Sequence, residues 1–391
     1  MSVLPLSGML VLDFSHAIMG PACAQMLGDM GAEVIHIESP QGDPTRDLKG
    51  MGLGYFPFYS RNKKSLAIDL KTEEGRQVIY ALAKRADVVV ENFGPGTMDR
   101  LGLGYDQLAP LNERLIYTAL KGFLPGPYEK RHAMDEVVQM MGGIAYMTGP
   151  PGQPMRAGIS VIDVTGGMFA TIGTLLALYE REVTGKGKLV KSALFETAAY
   201  LMGQNMVVSA RSGLPVPPMP ARVNAWSIYN TFQTGDDQIV FIGVISEKHW
   251  ERFCRAFDRI DWLEDVRFQT NNDRLAQGDA FMLPVREVIR QFSKDEIMAR
   301  CESAGLPYAP INRPEDLMVD PHLNQGAGMV ETVMPEGMTV KLPRLPFEYG
   351  GESFGLRLQP PEIGSHNAEI LASVGILEDA QADWKTRGII P

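Results

Sequence analysis

The segment Arg156 to Met168, RAGISVIDVTGGM, is where this chain reads most directly as chemistry. An uncharged run, Ile159-Ser160-Val161-Ile162, delivers one acidic residue, Asp163, to the start of a long apolar helix; Thr165, Gly166 and Gly167 follow. A carboxylate there lies among the unpaired N–H groups of a first helical turn, where the helix dipole favours its charge. Small neighbours leave room for a second molecule, and a carboxylate so presented can act as a nucleophile. Asp also favours the N-cap position, and on this segment alone capping accounts for it. The functional reading gains its weight from the rest of the chain.

Other chemistries are not spelled out. Gly52-Leu53-Gly54 and Gly102-Leu103-Gly104 lack the third glycine of a dinucleotide fingerprint, and no Walker-type loop, HExxH helix or GxSxG elbow occurs. The six histidines show no metal-ligand spacing, so no metal site is expected. Cys23, Cys254 and Cys301 lie far apart and read as reduced thiols of a cytoplasmic protein. A net charge of −10 without a basic tract argues against a nucleic-acid partner, although a local cationic cluster can still take an anion. No apolar run reaches about 18 residues, so no membrane span is expected. The first residues carry no basic region before their apolar run, so no signal peptide is expected.

The 391 residues predict two domains. Strands at Met9–Phe14, Glu33–Glu38, Ala86–Val90, Leu115–Leu120 and Lys188–Ala193 are separated by helices at Pro21–Met30, Thr72–Arg85, Asp135–Tyr146 and Val164–Val183, with another helix at Phe195–Ala210. Such alternation predicts an α/β fold with a mostly parallel sheet. Residues 1–212 are therefore read as the first part of a large Rossmann-like domain. Gly213 to Arg222, with four prolines, opens a stiff linker over 213–226. Residues 227–330 read as a smaller α+β domain that starts with a hairpin around Thr234-Gly235-Asp236-Asp237. Residues 331–391, including the Pro-rich stretch Pro335 to Pro346, read as a linker and a return to the large domain.

Several blocks then stand in a telling order: Val11-Leu12-Asp13-Phe14-Ser15-His16 before Gly20-Pro21; Gly31-Ala32-Glu33-Val34-Ile35; Arg61-Asn62-Lys63-Lys64-Ser65; Asp87 to Gly96, DVVVENFGPG; Arg100-Leu101-Gly102; Asp163; Asp265 to Phe268; and Gly364-Ser365-His366-Asn367. Together they resemble the family III CoA-transferases, the group of formyl-CoA transferase and carnitine CoA-transferase, over essentially the whole chain. The resemblance implies an open-ring subunit that interlocks with a second copy as a homodimer. It makes Asp163 the nucleophile. In that chemistry a carboxylate oxygen attacks an acyl-CoA thioester, the C–S bond breaks and a mixed anhydride forms. The CoA thiolate then attacks the aspartyl carbonyl, releasing the first acid and leaving an aspartyl-CoA thioester. An incoming carboxylate reverses these steps and departs as the new CoA ester. No tightly bound cofactor is required; CoA esters and a small carboxylic acid are the partners. Developing oxyanions need N–H donors, for which the glycines near the helix start are candidates.

The same resemblance places CoA contacts at His16, Ala17 and Ile18, at Ser39, at Ile68-Asp69-Leu70-Lys71, at Asn92-Phe93-Gly94, at Arg100, and at Arg131, His132, Ala133 and Met134. At Ser39 and His132 the relatives carry other residues, basic and lysine respectively. Arg100 and Lys71 suit phosphates, the one by its fork and the other as a point charge. Each alone also reads as a solvated cation. Asp135 either orients the acyl group beside Asp163 or caps its own helix. Around it, ALKGFLPGPYEKRHAMDEVVQMMGGIAYMTG looks most like relatives that handle short dicarboxylates such as mesaconyl-CoA or itaconyl-CoA. A second carboxylate needs a cation, and Arg46, Arg156 and Arg222 are the hypothesised clamps. Two rivals remain at this point. One is an acyl-CoA racemase of the same fold, in which a histidine precedes the aspartate matched by Asp135; here that position is Met134. The other is a CoA-binding protein without catalysis.

Overall fold

The protein is described by a computed structural model over residues 4–222, 224–326, 328–334 and 336–391. Val223 of the linker and Pro335, the first residue of the Pro-rich return, lie outside the described residues. The chain divides into two compact units, residues 1–221 with 321–391, and residues 222–320. The second boundary thus precedes by ten residues the 330 read from the sequence.

The larger unit holds a six-stranded parallel sheet in the order β3-β2-β1-β4-β5-β6. The strands are β1 (Leu10–Asp13), β2 (Glu33–Glu38), β3 (Lys63–Ala67), β4 (Val88–Glu91), β5 (Ile116–Lys121) and β6 (Leu189–Ala193). Their apolar residues alternate between two cores. Leu10, Leu12 and Phe14 face the side covered by the helix Glu73–Ala83 and the C-terminal residues Ile370, Leu371, Trp384 and Ile389. Val11, Val34, Val88 and Val90 face helix α1 (Met19–Asp29) and the long helix Val161–Thr184. Leu12 and Val89 are fully buried, and each such side chain contributes about 1.5–3 kcal/mol. The returning C-terminal segment is stitched to β3 by Asn367, whose side-chain amide bonds both the N–H and the carbonyl of Ala67.

The strand order reverses direction between β1 and β4. In an open α/β sheet this switch point opens a crevice at the carboxyl ends of the strands. The loops there are Phe14–Ile18 after β1 and Asn92–Gly96 after β4, so topology alone designates them.

Helix ends differ from the sequence reading where small residues intervene. The helix expected over Asp135–Tyr146 is two, Asp135–Met141 and Ile144–Thr148. Gly143 at φ +83° breaks it, and a Cβ on Gly142 would lie 2.4 Å from Ala198. Phe195–Ala210 likewise resolves into Leu194–Leu201 and Gly203–Ser212. The long helix starts at Val161. By length and composition it is apolar enough to cross a membrane, contrary to the expectation that no such run exists. One of its faces packs on α1 and the sheet through Ile162, Ala170, Ala177 and Leu178.

The smaller unit pairs β7 (Ile228–Gln233) and β8 (Ile239–Val244) as the expected hairpin, with β9 (Tyr308–Pro310) on the far edge of β8. Helices Glu247–Ala256, Asp279–Ile289 and Lys294–Ala304 cover it around Trp250, Phe253 and Phe281.

Candidate active site

A cavity of about 520 Å³ opens at the switch point. Its walls bring together most of the residues singled out from the sequence: His16, Ala17 and Ile18 after β1; Asn92, Phe93 and Gly94 after β4; Arg131, His132, Ala133, Met134 and Asp135 beyond β5; and Arg156 with Asp163.

Asp163 is the third residue of its helix, and the N-cap is Ser160, whose side chain makes no capping bond. The capping reading of Asp163 therefore fails. The cap comes instead from Asp135. Its Oδ2 accepts the N–H of Ile162 at 2.9 Å and that of Asp163 itself at 3.1 Å, two of the orphan donors of the first turn. Asp135 does not cap its own helix either, because Met134 is the N-cap there. The other oxygen of Asp135 is held by the Gln139 amide, whose Oε1 in turn accepts the Ala157 N–H at 2.8 Å. The Asp135 side chain is nearly fully buried, with Arg156 Nη2 4.0 Å away.

The Asp163 carboxylate accepts no hydrogen bond among the described residues. Burial, reinforced by the Asp135 charge and only partly opposed by Arg156, pushes it up to about 7. An unpartnered carboxylate that ionises near neutrality and faces a cavity is free to attack. Nearby, burial and the Asp163 charge push the Tyr59 phenol up to about 12, so it stays a hydrogen-bond donor at neutral pH.

The glycines after Asp163 serve another purpose than the one read from the sequence. A Cβ on Gly166 would lie 2.5 Å from Met19, and one on Gly167 2.7 Å from the Met19 carbonyl. They let the long helix lie against α1 and leave no special room at Asp163.

Other residues are not brought to this cavity. Arg46 is committed to Glu38 through Nε at 2.8 Å and Nη2 at 2.7 Å, and its guanidinium lies over Phe56, so it clamps no ligand here. Ile68 is buried in the core and the half-buried Leu70 packs against it, and neither lines this cavity. Asp69 Oδ1 accepts the Lys71 N–H, turning the chain into the next helix. Ser39 closes its own turn onto the Gly42 carbonyl. Lys71 and Arg100 are exposed outside the cavity lining, Arg100 bonding Thr97. Arg222 is the first residue of the smaller unit.

Tyr55, Ser160 and Glu136 line the cavity but were not singled out as site residues from the sequence. Glu136 pairs with Arg156. The aromatic run Tyr55 to Tyr59 just before Arg61-Asn62 was the available signal for Tyr55. Beneath the cavity, fully buried Asp13 is bonded by Lys63 Nζ at 2.8 Å and by the Ser15 N–H at 3.0 Å, with His36 Nδ1 at 3.3 Å. Burial alone would raise the Asp13 carboxyl, but Lys63 and His36 outweigh it and hold it well below the usual range.

Residues 6–367 match the model of CoA-transferase family III. The chain is 34% identical to an acyl-CoA transferase of Fusarium pseudograminearum, across 98% of this chain and 88% of that one. It is 31% identical to the succinate–glutarate CoA-transferase of Agrobacterium fabrum, across 96% of both chains. A crystal structure of a CAIB/BAIF family protein from Brucella suis superposes with a TM-score of 0.85 at 31% identity, covering 95% of this chain and all of that one. With the switch-point cavity, these likenesses establish that the chain belongs to CoA-transferase family III and is a CoA-transferase.

Proposed function

We propose that the enzyme moves CoA between short dicarboxylates through covalent intermediates on Asp163. The observation that carries this reading is the unpartnered Asp163 carboxylate in a cavity whose wall also offers the Arg156 guanidinium. Asp163 supplies the attacking oxygen, and each step exchanges one anion for another, so no external base or metal is called for. The CoA ester enters between the loops after β1 and β4, with Arg131 and His132 offering charge or donors to its phosphates. The name of the Agrobacterium relative, succinate–glutarate CoA-transferase, supports a diacid pair. The test is transfer from succinyl-CoA to a panel of short mono- and diacids, followed by chromatography of the CoA esters. Diacids are expected to accept CoA fastest. Equal rates for monoacids of the same length would overturn the substrate class.

Arg156 is the clamp this reading retains, because it lines the cavity and its partner Glu136 is exposed, whereas Arg46 lies outside that lining and is held by the buried Glu38. Arg156→Gln is expected to raise KM for diacids roughly tenfold and to spare monoacids. Kinetics at pH 9 isolate the effect, since loss of Arg156 also makes Asp163 harder to ionise. An equal rise for monoacids would remove the clamp role.

The partner we propose is a second copy of this chain, in the interlocked homodimer implied by the resemblance. Support comes from the outer face of the long helix: Met168, Ile172, Leu176, Tyr179 and Val183 recur at helical spacing and stay exposed, Leu176 by 64% and Val183 by 83%. Tyr200, which packs on Phe169 of the same helix, is exposed as well, as are Met206 and Val207. A stripe of that size on one copy is a contact surface. Sedimentation is expected to give two chains for the wild type and one for Ile172→Glu/Leu176→Glu at about 1 μM. A wild-type monomer would refute the assembly. The three free cysteines, all buried, accord with a reducing, cytoplasmic setting.

A further inference from the structure

The turn after β1 is built in a conformation that its sequence resists. Ala17 has φ +64°, in the left-handed region where a Cβ is unfavourable. Two residues before it, Ser15 gives its N–H to Asp13 Oδ1, and Phe14 gives its N–H to the Val90 carbonyl. Three residues after it, Gly20 lies so close to Ser15 that a Cβ there would come within 2.2 Å. The chain therefore reverses tightly into α1 around a non-glycine residue. Strain of this kind persists only where the surroundings over-determine it.

The over-determining contact at the centre of the turn is Asn92. Its Oδ1 accepts the His16 N–H at 3.0 Å and its Nδ2 donates to the His16 carbonyl at 2.8 Å. Both backbone groups of the residue preceding Ala17 are thus taken by one side chain, which holds the two peptide units that flank His16. The His16 ring also packs on Phe93, centroids 5.2 Å apart. Asn92 is itself held. The Phe93 N–H donates to Glu91 at 3.0 Å, and Lys121 Nζ donates to the Phe93 carbonyl at 2.9 Å while pairing with Glu91. Each end of the Asn92 amide is thus bonded once to backbone, which leaves one N–H and one lone pair over. The N–H groups of Ala17 and Ile18, by contrast, have no partner among the described residues, and both residues wall the cavity that holds Asp163.

We propose that Asn92 is a positioning residue: it holds the left-handed turn at Ala17 and thereby sets the part of the wall that Ala17 and Ile18 give to the cavity holding Asp163. This adds a role to the ligand contact expected of Asn92 from the sequence, since Asn92 itself lines the cavity. Its kinetic consequences rest on the transferase reading above; its structural consequence does not.

The test compares wild type, Asn92→Ala, Ala17→Gly and the double variant by kcat, KM for succinyl-CoA, and amide hydrogen exchange of residues 14–20. Glycine adopts a positive φ without the cost that alanine bears. Asn92→Ala is expected to lose about 10–100-fold in kcat/KM, as misplaced groups do, and to speed exchange in the turn. Adding Ala17→Gly is expected to recover roughly tenfold of that loss. An Asn92→Ala loss that Ala17→Gly leaves untouched, with exchange in the turn unchanged, would make Asn92 a direct substrate contact and overturn the proposal. Should Asn92→Ala fail to fold, Asn92→Asp keeps the acceptor for the His16 N–H and loses the donor, and the same recovery is expected of it. If the wild type shows no transfer at all, the transferase reading fails, while the exchange data alone still decide whether Asn92 holds the turn.

Discussion

Asp163→Asn is expected to abolish transfer and to make the protein more stable. In the proposed mechanism Asp163 forms both covalent intermediates, so its loss should lower kcat by at least about 10³-fold, with KM little changed. The stability gain follows from the carboxyl's raised pKa. Its ordinary value is 3.8 and its folded value about 7, so between these the folded state binds a proton that the unfolded state has released. Stability then falls as pH rises through that window and stays lost above it. A neutral amide is spared this loss. The gain from Asp163→Asn is expected to be on the order of 3 kcal/mol at pH 8 and to shrink towards zero near pH 4. Thermal unfolding of both proteins across that range checks the sign. The wild-type kcat/KM is expected to fall about tenfold per pH unit below about 7, as the nucleophile takes up its proton.

The second large effect belongs to Asp135. Asp135→Ala leaves the N–H groups of Ile162 and Asp163 buried without a partner and removes the cap of a 24-residue helix. Loss of the cap and of those bonds is expected to cost about 2–4 kcal/mol. Asp135→Asn separates charge from shape. It can keep an acceptor for the helix but lifts the repulsion on Asp163, so the acid limb of the pH–rate profile is expected to move to lower pH. A profile that stays in place in Asp135→Asn would show that the Asp135 charge does not tune the nucleophile. A merely structural Asp135 would change the unfolding temperature and leave the limb where it is.

Much of this was legible in the chain because it is local. Strands such as Glu33–Glu38 and the helix opened by Thr72 follow from composition, capping and flanking turns. Asp163 reads on its own segment as a cap, and gains weight only from the ordered blocks that resemble the CoA-transferases. What was not legible is contact across the fold. Nothing in the neighbourhood of Asp135 tells that its carboxylate caps a helix beginning 26 residues later. Arg46 and Arg156 stand as equal candidates in the sequence. Their places in the fold separate them: Arg46 is held by the buried Glu38, while Arg156 lines the cavity with the exposed Glu136 as its partner. Gly166 and Gly167 were misread for the same reason, because the surface they fit, Met19 on α1, is more than 140 residues away in the chain. Strand alternation implied a parallel sheet, but the order that puts the crevice between β1 and β4 is a tertiary fact.

The most direct measurement is mass spectrometry of the protein mixed with succinyl-CoA and quenched with hydroxylamine or borohydride. The account predicts modification of wild-type enzyme on the peptide containing Asp163, and none in Asp163→Asn. Modification at another residue, or equal modification of the variant, would contradict the assignment of Asp163 as the nucleophile.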